Sequence, residues 1–110
     1  MEKSKVSAYL GFCLRARKIV FGVDEIQNKK KGVHLLICDE QIAQNSFKNI
    51  IKAQEKLGCP LLMAKSDALG QALYKPAVKA VAITDKNLAL AILSAVESEN
   101  AYNLYSGGSN

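Results

Sequence analysis

Val33-His34-Leu35-Leu36-Ile37-Cys38 is a nearly continuous apolar run. A strand with one face in water alternates apolar and polar residues, so an unbroken run predicts a strand covered on both faces. Cover on both faces means layers above and below a sheet, and the rest of the chain supplies them. Val6, Leu10, Cys13 and Leu14 recur at helical spacing after Ser4, predicting a first helix that ends near Arg17. Ile19 to Phe21 is a short β-prone stretch closed by Gly22. Residues 23 to 31 read as a short helix anchored by Ile26, with Lys29-Lys30-Lys31 in its last turn, where positive charge complements the helix dipole, and Gly32 as its stop.

The pattern continues after the apolar run, which Asp39 and Glu40 close. With Asn45 or Ser46 as N-cap, Phe47, Ile50, Ile51, Gln54 and Leu57 fall on one helical stripe that Gly58 ends. Pro60 opens a third strand, Leu61 to Ala64, as a proline at a first strand position permits. Ser66-Asp67 caps a small helix holding Ala68, Leu69, Ala72 and Leu73, which stops before Pro76. Val78 to Ile83 reads as a fourth strand, and Thr84-Asp85 caps a final helix with Leu88, Ala91, Ile92, Ala95 and Val96. The expected fold is therefore α/β: a three-layer α/β/α sandwich around a four-stranded, largely parallel or mixed sheet. Residues 1–97 form its single domain, and residues 98–110 read as a polar, flexible tail.

Charge points to the class of partner. The chain carries +5 at pH 7; residues 1 to 31 hold eight Lys or Arg against three acids, whereas residues 32 to 110 hold seven of each. A cationic face favours polyanions, and nucleic acid is the commonest such partner of a small basic protein. The segment Arg15 to Glu25 sets a basic helix end, a short strand and a glycine-opened acidic turn in succession. Arginine and lysine can hold an RNA backbone, while Asp24 and Glu25 can accept hydrogen bonds from unpaired or non-Watson-Crick bases. The charged start Met1-Glu2-Lys3-Ser4-Lys5, and the interruption of the next segment by Arg15, Arg17 and Lys18, argue against a signal peptide or membrane span. Cys13, Cys38 and Cys59 are widely spaced, with one histidine, His34, in the chain. They read as packed free thiols in a reducing compartment, hence cytoplasmic, with no metal or cofactor expected.

The run Leu10-Gly11-Phe12-Cys13-Leu14-Arg15-Ala16-Arg17-Lys18-Ile19-Val20-Phe21-Gly22 resembles the opening of the YlxQ-type bacterial branch of the ribosomal L-seven-Ae superfamily, the kink-turn RNA-binding proteins. Asn45-Ser46 leading to Pro60, then Leu69-Gly70, then Ala80 to Asp85, stand where that family has its helix start, proline-opened strand, leucine-glycine pair and last strand ending in threonine-aspartate. The resemblance covers residues 3 to about 97.

What the resemblance implies is a mechanism. In that family a glycine, an asparagine-glutamate pair and a lysine one helical turn later read tandem sheared G·A pairs, and an apolar loop before the last strand packs on an extruded base. Carried to this chain, the first element falls on Gly22, Asp24, Glu25 and Asn28, and the second on the segment Tyr74-Lys75-Pro76-Ala77-Val78. Arg17, Lys18, Lys29 and Lys30 are the expected phosphate contacts. Asp24 stands where the strongest binders have asparagine, so an amide donor is replaced by negative charge, and Asn28 stands at the lysine position. A weaker or altered RNA preference is the expected consequence.

An enzyme would need other residues. The chain has no G-x-G-x-x-G or G-x-x-x-x-G-K-[ST] turn to cradle phosphates. A serine-histidine-acid set would have to use His34, inside an apolar strand. The pairs Asp24-Glu25 and Asp39-Glu40 are adjacent in sequence and diverge instead of facing one substrate. The expectation is a monomeric, non-enzymatic protein that binds structured RNA, a kink-turn or related internal loop in ribosomal or regulatory RNA, with the ribosome as a candidate partner. The alternative is a protein-interaction module on the same fold that has lost RNA recognition.

Overall fold

The computed structural model describes residues 4–106. In chain order the elements are α1 (Lys5–Ala16), β1 (Ile19–Phe21), α2 (Val23–Gln27), β2 (Leu35–Asp39), α3 (Gln44–Leu57), β3 (Leu61–Ala64), α4 (Ala68–Leu73), β4 (Ala80–Ile83), α5 (Lys86–Ala95), a 3-10 turn (Val96–Ser98) and β5 (Tyr102–Ser106). The strands form one mixed sheet in the order β1-β4-β2-β3-β5. Only β2 and β3 are parallel; β4 runs against both β1 and β2, and β5 against β3.

Alternation along the strands divides the interior into two layers. Leu35 and Ile37, Leu62 and Ala64, Val81 and Ile83 face one way and meet Val6, Leu10 and Cys13 of α1, Leu69 and Leu73 of α4, and Ala89 and Ile92 of α5. Leu36 and Cys38, Leu61, Ala80 and Ala82 face the other way and meet Ile26 of α2 and Ile50 and Ala53 of α3. All five residues of β2 are buried, as its apolar composition requires. Each fully buried Leu or Ile contributes roughly 1.5–3 kcal/mol by leaving water, so the central strand draws on both layers.

Local signals fix most boundaries. The Ser4 hydroxyl accepts the Ser7 amide and starts α1, and Arg17 closes it in the left-handed region at φ 57°. Gly58, at φ 70°, closes α3. The Asp85 carboxylate accepts the Leu88 amide and starts α5.

Several expectations need correction. The sheet has five strands, not four. The fifth, Tyr102–Ser106, arises from the segment read as a polar tail, because Tyr102 faces the α1/α4/α5 layer while the Tyr105 ring meets Phe47 edge-on at 5.4 Å on the opposite side. The rest of the expected tail, residues 107–110, and the first three residues of the charged start lie outside the described residues. The second helix ends at Gln27, not at Lys31. Beyond Ile26 it has no apolar side chain to bury, and three adjacent lysines repel one another. The expected strands at 33–38 and 78–83 begin two residues later, at Leu35 and Ala80. The third helix starts after Ala43 without a side-chain cap, two or three residues before the Asn45 or Ser46 expected there. Asp67 precedes α4 but caps it with no side-chain bond, its carboxylate facing Lys79 instead.

Candidate functional site

Strand directions give the sheet two unlike ends. At one, called the upper end, β1, β2 and β3 finish and β4 and β5 begin; the lower end is the reverse. The residues singled out by sequence divide between them.

At the upper end, Gly22 follows β1 with φ 89° and ψ 150°, a conformation almost confined to glycine. Its amide donates to the Ala80 carbonyl at 3.1 Å, and an added Cβ would meet nothing within 4 Å. The backbone here is open to an approaching molecule. Asp24 and Glu25, in the first turn of α2, are exposed. Because β1 pairs with β4, this turn lies beside the loop that precedes β4. The Lys75 ammonium sits 5.5 Å from the centre of the Phe21 ring. Tyr74, at φ 57° and 90% exposed, together with Lys75, Pro76 and Ala77, projects into solvent, and Val78 is half-buried. Gly22, Asp24, Glu25 and the 74–78 loop thus lie at one end of the sheet.

Carboxylates brace this end. Asp39 is fully buried; its Oδ1 accepts the Gln41 amide at 2.7 Å and its Oδ2 the Asp67 amide at 2.9 Å. Glu40 Oε2 accepts the Ser66 amide at 2.8 Å and the Ser66 hydroxyl at 2.9 Å, and these bonds hold its carboxyl below its ordinary pKa. The 74–78 loop is tied back by the Lys75 amide on the Gly70 carbonyl at 2.9 Å, and Gly70 has no room for a side chain there. Asp39, Glu40 and Gly70 were not among the candidate site residues. For Asp39 and Glu40 the signal was the abrupt change from apolar strand to paired acids, which reads only as a strand end; Gly70 stood out only as half of the Leu69-Gly70 pair.

The expected phosphate contacts are not at this end. Arg17 and Lys18 precede β1, and the Lys18 carbonyl accepts the Thr84 amide at 2.9 Å beyond the end of β4. Asn28 caps the far end of α2, and Lys29 and Lys30 follow it. All of these lie toward the lower end: Arg17 and Lys18 are separated from Gly22 by the length of β1, about 10 Å for three residues, and Lys29 and Lys30, with Asn28 that was expected at a base edge, by the length of α2. Lys75, against the Phe21 ring, is a cation at the open turn's end of the sheet.

Other chemistry is poorly provided for. Burial raises the Cys13 and Cys59 thiols to about 11 and Cys38 to about 12, with the charges of Asp85 and Asp39 adding to the shift at Cys13 and Cys38. None is a thiolate near neutral pH. Among the described residues no group of three His, Cys, Asp or Glu side chains is placed to hold a metal ion, and no helix is long and apolar enough to cross a membrane. A groove of about 820 Å³ lies between α1 and α4, rimmed by Phe12 and Tyr74. Its acid, Glu99, is engaged by the Ser4 hydroxyl and the Val6 amide, and its arginine, Arg15, lies over Phe12 at 4.9 Å.

No protein-family model matches the chain, and no curated protein matches it. Solved structures do: 70 chains resemble it in fold. One, a protein with unknown function from Bacillus halodurans C, matches with a TM-score of 0.72 at 20% sequence identity, over 87% of this chain and 100% of that chain. At that identity the likeness extends to the α/β fold alone.

Proposed function

We propose that this protein binds structured RNA, without turnover, and reads a kink-turn or related internal loop at the upper end of its sheet. The observation that carries the reading is the meeting of two segments far apart in sequence: the open turn at Gly22 and the exposed loop at 74–78, side by side through β1–β4 pairing. Gly22 allows close backbone approach. Glu25, and with it Asp24, accepts hydrogen bonds from base amino and imino groups. Pro76 to Val78 offer an apolar surface to a splayed base, and Lys75 is the adjacent cation. The reading includes a monomer working in the cytoplasm, with ribosomal or regulatory RNA as its target and the ribosome as a candidate partner. The interaction-module reading draws on a different feature, β5 at the edge of the sheet with Leu104 and Tyr105 exposed.

The test is a titration into a labelled kink-turn RNA and into the same RNA with its G·A pairs replaced by Watson-Crick pairs. Tighter binding to the kinked RNA is the expected result, and Glu25→Ala should reduce that preference about tenfold while leaving affinity for plain duplex within twofold, a direct base-edge contact being worth ~1–3 kcal/mol. Equal loss on both RNAs would remove Glu25 from base reading. Absence of binding to either RNA would overturn RNA binding and leave the interaction module.

A further inference from the structure

We propose that the lower end of the sheet is a second nucleic-acid surface, which holds the phosphate backbone of a duplex independently of its sequence and apart from the turn at Gly22. The proposal rests on the RNA reading above and adds a separate surface to it.

Three loops place the cations there. Arg17 and Lys18 enter β1, and the Lys18 carbonyl accepts the Thr84 amide, which sets Lys86 at the start of α5 beside them. The His34 amide donates to the Ile83 carbonyl at 2.9 Å, which brings the segment carrying Lys29, Lys30 and Lys31 to the same edge. From α3, the Lys56 ammonium donates to the Gln27 carbonyl at 2.9 Å and so stands against the end of α2. The strands that begin or finish at these loops are neighbours in the order β1-β4-β2-β3, β4 finishing where the others begin. At about 4.8 Å per strand the row extends roughly 15 Å. Phosphates recur about every 3.4 Å of axis along each strand in B-form DNA and follow a different, A-form path in RNA, so a row of this length spans several phosphates of a duplex.

The charges are available. Among the described residues the only ion pair is Lys79 with Asp67 at 3.5 Å, at the upper end. Two acids stand close to the row. Asp85 uses its carboxylate to cap α5. Glu55 precedes Lys56 on α3 and points about 100° around the helix from it. Crowded lysines are tolerable here because α1, α2 and α3 finish at this end, where the negative pole of each helix favours positive charge; Lys86, in the first turn of α5, is the exception. Lys56 lines a small hollow with Gln27, Lys52 and Ala53; spread along an edge, the cations taken together suit an extended polyanion.

The experiment measures binding to a labelled RNA duplex with no internal loop, as a function of salt. K29Q/K30Q/K31Q removes three exposed or half-exposed charges and no core contact. Each phosphate contact adds nearly one unit to the slope of log affinity against log salt, so the variant's slope should be shallower by about 2–3 units, a difference of roughly 40-fold across a fourfold change in salt. K5Q/K48Q/K65Q, which removes the same charge nearer the upper end, should keep the wild-type slope. Equal shallowing in both variants would mean that net charge alone matters and would overturn the surface. A wild type that binds the kinked RNA but not the plain duplex would overturn the surface and leave the RNA reading standing. Binding to neither RNA would overturn both.

Discussion

The upper end of the sheet gathers Asp24, Glu25, Asp39, Glu40 and Asp67, whereas the lower end gathers Arg17, Lys18, Lys29, Lys30, Lys31, Lys56 and Lys86. The two differ in organisation as well as sign. Three of the upper-end carboxylates are bonded into the fold: Asp39 joins β2 to the turn before α4, Glu40 holds Ser66 and Asp67 faces Lys79, whereas Asp24 and Glu25 stay exposed. Lower-end ammonium groups, Lys56 apart, have no such bonds among the described residues. Helix polarity favours most of the division. The helices α2, α3 and α4 begin at the upper end, where amide groups favour anions, and α1, α2 and α3 finish at the lower end, where carbonyls favour cations; α5 begins at the lower end, so Lys86 stands there against its own helix dipole. One end is therefore suited to fixed geometry and the other to affinity without a fixed partner.

Breaking the brace at Asp39 should have the largest effect. Asp39→Ala leaves the Gln41 and Asp67 amides without their acceptor and should destabilise the protein by about 3 kcal/mol in urea unfolding. If the ends are independent, duplex RNA should still bind the folded variant with the wild-type salt slope. Next in size is the loop beside Gly22. A Cβ on Gly70 would lie 3.0 Å from the Lys75 carbonyl oxygen and from Pro76 Cα, both backbone atoms that cannot turn aside. Gly70→Ala should cost ~1–3 kcal/mol by overpacking and displace the 74–78 loop. Gly22→Ala should cost a similar ~1–3 kcal/mol through backbone strain alone, since nothing obstructs its side chain. Both variants should lose preference for the kinked RNA without losing duplex affinity; a fall in duplex affinity would show that the two ends act as one.

Chain order of the elements was legible where punctuation is sharp. Gly22 closes β1 at Phe21, Pro60 precedes β3 at Leu61, and Gly58 ends α3. The end of α2 was not, because three lysines in a last turn agree with the dipole and yet do nothing to keep a helix going once its apolar anchor is behind it. The last strand was obscured by Asn103 and by the glycines after it, although Tyr102 and Leu104 already alternate with more polar neighbours. For the site, the residue types were legible and their ends were not. Which end a loop occupies depends on strand direction, and β4 runs against both of its neighbours, a relation set by long-range pairing that local pattern does not carry. Hence Lys18 and Gly22, four residues apart, lie at opposite ends, while Gly22 and Lys75, far apart in sequence, are adjacent.

Acid should separate the ends most gently. The Ser66 amide and hydroxyl stabilise ionised Glu40 and lower its pKa from 4.5. A carboxyl whose folded pKa is below its unfolded value contributes stability that is complete above the unfolded value and is lost as pH falls through the folded one. The contribution of Glu40 should therefore be whole at neutral pH and disappear below pH 4.5, first as freer motion of Ser66 and then of the turn leading to α4. Amide exchange followed by NMR would show Ser66 protection, corrected for the intrinsic rate, dropping in that window in the wild type. Glu40→Gln should show weaker protection of Ser66 at pH 7 and no further loss on acidification, because its amide oxygen still accepts but carries no charge to remove. The Thr84 amide is bonded to the Lys18 carbonyl and makes no bond to Glu40, so its protection should not follow the Glu40 titration. A parallel loss at Thr84 would mean that the sheet transmits the change from one end to the other, and the separation of a braced end from a charged one would fail at its most sensitive point.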